Sequence, residues 1–484
     1  MSSSKTAMSP DSTEPVMKIL EQCLSEAEMT RFLDFRSNYS RYRQGAAHGA
    51  KGAASDQTVG SWDKVAGDSF PEHLGQPAEV YPNAVEEAVV GLFKPPRKQL
   101  KEGPPEREMV LNWKMGNAER EFLNTENITT AHTTLEEISE RFKQSKVPEK
   151  VGDVNQYIDG FVENVVKDSV HCNAPKMIGH MTMSLPFFTR PLAKLVTAMH
   201  QNNVKTETGK TTTFMEREAL AMLHHQLFRL DDAFYEEHGQ NAGSALGLVC
   251  SGGTLANISA MWIARNSLLR PQGDASGEGV ENFAGVEKVG LLKAMKHYSY
   301  DDAVVIGTKL LHYSMKKATD VLGMGTEGLR LVPFGDDYRV DVAEMEAEIL
   351  RCKASNTAIV ALVGVAGATE TGSIDDLAGI AALAAKYKLH FHVDAAWGGP
   401  CIFSKTQSIK MKGIELADTV TLDGHKQLYT PMGVGLCFLR DPNDIRFVQK
   451  TANYIIRKES HDTGKCSPPG ALSVRAFGRS SAFR

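Results

Sequence analysis

The middle of this 484-residue chain encodes an α/β fold, a mostly parallel sheet flanked by helices. Short apolar runs rich in β-formers recur at "ALGLVC", "DAVVIG", "TAIVALVGVAG", "LHFHVDAA", "ADTVTL" and "GVGLCFL". Between several of them lie helical patterns, "LANISAMWIARNSLL", "DVAEMEAEILRC" and "DLAGIAALAAKY". Strands that alternate with helices build a sheet covered on both faces, so the strands read as continuous apolar runs. No internal repeat and no heptad run competes with that reading. Ligands of such sheets gather at the carboxyl edge, where strands end and loops begin.

Ahead of this region the pattern is helical. "PVMKILEQCLSEAEMTRFLDF" predicts one amphipathic helix, and residues 44–70, rich in Gly, Ala and Ser, predict a mobile segment. From about residue 105 to 235 apolar positions fall three and four apart, as in "VNQYIDGFVENVV" and "MEREALAMLHHQLFRL". The expected organisation is an N-terminal extension over 1–104, a mainly helical segment over 105–235, a large ligand-binding domain over 236–460 and a tail over 461–484.

Bulk properties narrow the function. With 54 basic and 59 acidic residues the net charge is −5, so no global basic field draws nucleic acid or anionic lipid. No apolar run reaches the roughly 18 residues of a membrane span, and "MSSSKTAMSPDST" has no signal-peptide core. The seven cysteines are scattered without a CxxC pair, which argues against a disulfide framework or a zinc ribbon, predicts no metal site and fits the cytoplasm.

Four stretches carry chemistry. "CSGGTLAN" joins a strand to a helix; its glycines admit a ligand close to the backbone, and the helix start offers N–H groups to an anion, so Gly253 and Thr254 are candidates to hold a phosphate. A plain strand-to-helix turn is the alternative. In "FHVDAAWGG", Asp394 follows a buried-strand pattern and needs a partner; a protonated ring nitrogen suits it, and Ala395 and Ala396 leave room for a flat ring. Capping of the next helix is the alternative there. "DGHKQL" places Lys426 32 residues after Asp394, beyond an apolar run where an unpaired ammonium is costly. A lysine, a carboxylate and a phosphate turn on a parallel sheet point to a Schiff base with pyridoxal phosphate, which relieves the lysine of its buried charge. Asp423 and His425 could orient the phosphate or the lysine. His312, in "TKLLHYSMKKAT", could stack on the ring opposite Ala396, or be an ordinary core histidine.

In their order, "SGGTLAN", "HYSMKKA", "HVDAAWGG" and "DGHKQL" resemble the group II pyridoxal-phosphate-dependent amino acid decarboxylases, over residues 105 to 460. The resemblance implies the type I, aspartate-aminotransferase-like fold and a homodimer with active sites at the subunit interface. It implies pyridoxal 5'-phosphate bound through Lys426, with Asp394 on the pyridine nitrogen and His312 and Ala396 on the two ring faces. Gly253 and Thr254 fall at the phosphate, and Thr369, in "GATETGS", near the ring hydroxyl. Tyr454, 28 residues past Lys426, matches the mobile-loop tyrosine that delivers a proton after decarboxylation. "GHMTMSLPFF", "FMEREAL" and "ANYIIRKESHD" are most similar to the bacterial aspartate 1-decarboxylase branch. The expected reaction is therefore L-aspartate to β-alanine and CO2, with L-glutamate or diaminobutyrate decarboxylation, or an inactive member, as alternatives. His180, Thr182 and Lys176 lie where the family meets substrate. After Asp462 the chain reads "TGKCSPPGALSVRAFGRSSAFR", with four basic residues and no acidic one, where the family continues into a small domain. The expectation is an aberrant tail, with that domain missing.

Overall fold

The computed structural model describes residues 106–148, 154–179, 181–182, 184–204, 206–272 and 283–450. The helix expected near the N-terminus, the segment 44–70, His180, Tyr454 and the tail lie outside the described residues. Those residues fall into two compact units that divide between Ala174 and Pro175. The first holds helices Glu106–Leu123, Leu135–Arg141 and Val154–Phe161, the last within the run "VNQYIDGFVENVV". Thr134 and Glu137 start the second of these with reciprocal side-chain bonds to each other's backbone N–H.

The second unit holds a seven-stranded sheet. Its strands are β1 (Gly247–Cys250), β2 (Asp302–Thr308), β3 (Leu329–Val332), β4 (Thr357–Val365), β5 (Phe391–Asp394), β6 (Thr419–Asp423) and β7 (Gly435–Leu439). The order is β1-β7-β6-β5-β4-β2-β3, and only β7 runs against its neighbours. The carboxyl ends of β1, β2, β4, β5 and β6 therefore share one edge with the amino end of β7. Six of these strands match the apolar runs of the sequence. The seventh, β3, escapes that reading because "LRLV" is short and, at the sheet's edge, buries only Val332.

Side chains point alternately to the two faces of a strand, and both faces are buried here. In β2, Val304 and Ile306 join one apolar cluster, while Ala303 and Val305 join the other. The first cluster is closed by helices α1 (Thr211–Phe228), α4 (Val342–Ala354) and α5 (Leu377–Tyr387), which contribute Leu227, Met345, Ile349, Leu377 and Ile380. The second is closed by α2 (Gly253–Leu268) and α3 (Ser314–Val321), through Ala256, Ala260, Met261, Ile263 and Met315. Fully buried side chains such as Phe391 and Phe438 each contribute about 1.5–3 kcal/mol. Aspartates set where α4 and α5 begin: Asp341 accepts the N–H groups of Ala343 and Glu344, and Asp376 that of Gly379.

One tie between α1 and the sheet carries a pH dependence. His224, fully buried, donates from Nε2 to the Leu439 carbonyl at 2.9 Å and accepts at Nδ1 from the Tyr235 hydroxyl at 2.8 Å. Burial pushes its pKa down to about 4. Above the ordinary histidine pKa both folded and unfolded chains hold it neutral. As the pH falls below about 6.5 the unfolded chain takes up a proton that the folded chain refuses, so stability is lost. Between pH 8 and 5 this residue should cost about 2 kcal/mol. The check is the urea unfolding free energy at both pH values, with the loss smaller by that amount in His224→Gln.

Candidate active site

A cavity of about 510 Å³ opens at the shared sheet edge. Each strand end brings one part of its wall. After β1 the chain turns through Ser251, Gly252 and Gly253 into α2. A methyl group on Gly253 would stand 2.8 Å and 3.0 Å from the Asp423 carboxylate oxygens, so no larger residue fits. Gly435 is required for the same reason: its Cβ would lie 2.3 Å from the Gly252 carbonyl carbon, because the turn rests on the start of β7. The first N–H groups of a helix lack intrahelical partners, which makes this turn suited to an anion. Thr254 lines the cavity beside it.

After β2 comes His312, half-buried, with Nδ1 2.9 Å from Ser314 Oγ. Burial pushes its pKa down, against the opposing pull of Asp394. After β4, Thr369 stands on a loop held by Asp375. That carboxylate, 4% exposed, accepts the N–H groups of Val365 at 2.8 Å and Val340 at 2.7 Å. The apolar runs gave no signal for Asp375, since its role is to tie two loops distant in sequence.

Asp394 ends β5 and is 6% exposed. Oδ1 accepts the Ala396 N–H at 3.2 Å and Oδ2 accepts from Asn257 Nδ2 at 2.9 Å. The first bond is a local turn, not the start of an α-helix: a 3-10 turn, Gly399–Phe403, follows. Asp394 has no ion-pair partner among the described residues, whereas the other acid of the cavity has one. A nearly buried carboxylate without a cation is a place for a cationic ligand group. Ala396, small and buried, forms the wall beside it.

β6 ends in Asp423, 2% exposed, and leads to His425 and Lys426. Lys426 Nζ lies 3.0 Å from Asp423 Oδ2, with its side chain 18% exposed. The cost of a secluded ammonium is thus offset by Asp423 before any covalent chemistry, a pairing three residues apart that the sequence reading used only as an auxiliary. His425 donates from Nδ1 to the Val434 carbonyl at 2.6 Å, leaving Nε2 3.8 Å from the same carboxylate oxygen. Burial pushes the Asp423 pKa up while Lys426 and His425 pull it down. Its Oδ1 is buried without a hydrogen-bond partner. A carboxylate oxygen only accepts, so this orphan calls for a bound N–H or O–H donor.

Gly253, Thr254, His312, Thr369, Asp394, Ala396, His425 and Lys426 all line this one cavity. Lys176 and Thr182 do not line it. The residues fit pyridoxal phosphate: a turn for the phosphate, a carboxylate for the ring nitrogen, small residues beside the ring and one lysine.

A mostly parallel α/β sheet with a polar cavity at its carboxyl edge defines a ligand-binding domain of the doubly covered α/β kind. Residues 137–469 match the family model described as the pyridoxal-dependent decarboxylase conserved domain. The chain is 41% identical over 397 residues to an aspartate 1-decarboxylase of Aliivibrio fischeri, covering 82% of this chain and 70% of that protein. It is 27% identical over 311 residues to an L-2,4-diaminobutyrate decarboxylase of Acinetobacter baumannii, covering 64% of this chain and 57% of that one. The solved glutamate decarboxylase domain of a diaminobutyrate-pyruvate transaminase and L-2,4-diaminobutyrate decarboxylase from Vibrio parahaemolyticus superposes with a TM-score of 0.60. That match is 22% identical and covers 73% of this chain and 72% of the other, so it speaks for the fold. The chain belongs to the pyridoxal-dependent decarboxylase family: it is an amino acid decarboxylase whose cofactor is pyridoxal 5'-phosphate.

Proposed function

We propose that the substrate is L-aspartate and that the reaction removes its carbon-1 carboxylate to give β-alanine. The observation that carries this reading is the 41% identity to an aspartate 1-decarboxylase across 82% of the chain. The chemistry supplied by bound pyridoxal phosphate is an electron sink for the pair left behind as CO2 departs. Lys426 would hold the cofactor covalently and yield its place to the substrate amine. Asp394 would keep a proton on the ring nitrogen, which its lack of an ion-pair partner among the described residues favours. Gly253, Thr254 and His425 would hold the phosphate, with Thr369 on the hydroxyl side, and His312 and Ala396 would confine the ring. Tyr454 would return a proton to the carbon that lost CO2, in place of a transamination outcome.

The active assembly we propose is a cytoplasmic homodimer. Supporting it, the helix Thr189–Met199 exposes Leu192, Leu195, Val196 and Met199, an apolar stripe suited to burial against a second copy. Among the described residues no helix is long and apolar enough to cross a membrane.

A second reading, decarboxylation of L-2,4-diaminobutyrate, is favoured by the relatives of that name. The test is product analysis of the full chain with pyridoxal phosphate and L-aspartate, L-glutamate or L-2,4-diaminobutyrate at equal concentration. Dominant formation of β-alanine is expected. A higher kcat/KM for either other amino acid overturns the assignment.

A further inference from the structure

Behind Asp394 lies a chain of buried polar side chains that the proposed chemistry does not use. Asn257 on α2, His392 on β5, Thr419 on β6 and Ser314 on α3 are each at most 1% exposed. Asn257 Nδ2 lies 2.9 Å from Asp394 Oδ2 and 2.9 Å from Ser314 Oγ. Its Oδ1 is 3.1 Å from His392 Nε2. His392 Nδ1 is 2.9 Å from Thr419 Oγ1, which is 2.8 Å from His390 Nε2.

With the Asp394 carboxylate as a fixed acceptor, the protons of these side-chain pairs follow in order. The Asp394 carboxylate accepts only, so the Asn257 amide must turn its NH2 towards it; the reversed amide would set Oδ1 against a carboxylate. The two amide protons then go to Asp394 and Ser314, and Oδ1 requires a proton from His392 Nε2. Burial holds His392 neutral, with its pKa pushed down to about 3, so Nδ1 is bare and accepts from the Thr419 hydroxyl, which in turn accepts from His390 Nε2–H. At the other end the Ser314 oxygen is occupied by Asn257, and its own proton is directed to His312 Nδ1 at 2.9 Å. The Ser314 backbone N–H reaches the same Nδ1 at 3.3 Å. Two donors converge on that nitrogen, so Nδ1 is bare and Nε2–H is the one donor that His312 retains.

We propose that Asn257, oriented by His392, is a positioning residue that sets the Asp394 carboxylate and, through Ser314, the tautomer of His312 at once. The structural reason is geometric: one planar amide has two NH2 protons at a fixed angle, so the acid and the imidazole are held in a fixed relation on α2. The backbone alone provides no such link, since β5 and α3 lie far apart in sequence. The inference rests on the reading of Asp394 and His312 as partners of the cofactor.

The test uses the full chain labelled with ¹⁵N-histidine, cofactor-free and loaded, with His312→Asn to assign its signals. In the parent, His312 should show a bare Nδ1 and a protonated Nε2 without cofactor. Ser314→Ala, which leaves only the backbone N–H at 3.3 Å on His312 Nδ1, should raise the share of the Nδ1-protonated tautomer, and Ser314→Thr, which keeps the hydroxyl, should restore the parent signature. Asn257→Ala should mix the tautomers and also weaken pyridoxal-phosphate retention about tenfold, as loss of a charge-assisted bond implies. A parent His312 protonated at Nδ1, or a folded Asn257→Ala with unchanged tautomer and retention, overturns the proposal. Should Asn257→Ala fail to fold, the Ser314 pair decides the tautomer, and Asn257→Asp, which keeps the acceptor for His392 but loses both amide donors, decides the rest. Because the tautomer is read without cofactor, its failure is separable from failure of the site reading, which would appear as unaltered cofactor attachment in Lys426→Ala.

Discussion

Lys426→Ala is expected to lower kcat by about 10³-fold or more, because one change removes both the covalent attachment and a proton-transfer group. Lys426 is the only lysine or arginine among the described residues that line the cavity, so no neighbour can take over. The alanine variant also strips Asp423, 2% exposed, of its cation at 3.0 Å, at a stability cost of about 1–3 kcal/mol. Lys426→Arg separates the two effects: it keeps a charge for Asp423 but cannot form the imine, so it should recover stability and not activity. Borohydride reduction followed by peptide mass analysis provides the check. Cofactor fixed to the chain of Lys426→Ala as in the parent would show that another residue carries it.

Asp394→Asn is expected to reduce kcat by about 10²–10³-fold, the usual loss when one well-placed electrostatic group is removed. The amide has the same shape but a single oxygen, so it can accept only one of the Asn257 and Ala396 N–H groups that Asp394 accepts at 2.9 Å and 3.2 Å, and turns its NH2 against the other. What it lacks is the negative charge that would hold a proton on the ring nitrogen. Asp394 has no ion-pair partner among the described residues, so no cation is stranded, and the cofactor-free variant should lose only about 1–3 kcal/mol for one buried hydrogen bond. Steady-state kinetics with urea unfolding on the same preparation would measure both, and an unchanged kcat would exclude Asp394 as the partner of the ring.

Much of this was legible in the linear sequence, for a physical reason. A strand buried on both faces is a continuous apolar run, so β2, β4, β5 and β6 announce themselves, and the residue just past such a run must lie at the sheet edge. That rule brings His312, Asp394 and Lys426 together, the family resemblance adds Thr369, and the structure finds all four around one cavity. The edge strand β3 obeys a weaker rule, since Arg330 and Leu331 meet solvent and the apolar run is never completed. Unit boundaries were less legible still: the structure divides between Ala174 and Pro175, inside the segment 105–235 expected as one mainly helical stretch.

The sequence by itself determined the layered α/β architecture, the chemical types available at the sheet edge and the family. The tertiary structure alone decided the pairings. That Asp423 neutralises Lys426 while Asp394 is left without a cation cannot be read from two aspartates that each end an apolar run. Nor can the amide of Asn257, an unremarked polar residue on an apolar helix, be seen to join residues 57 and 137 positions away. Apolar burial is non-directional and leaves a period in the chain. A hydrogen bond is directional and depends on where two distant backbones have been brought, which only the assembled sheet and its helices fix.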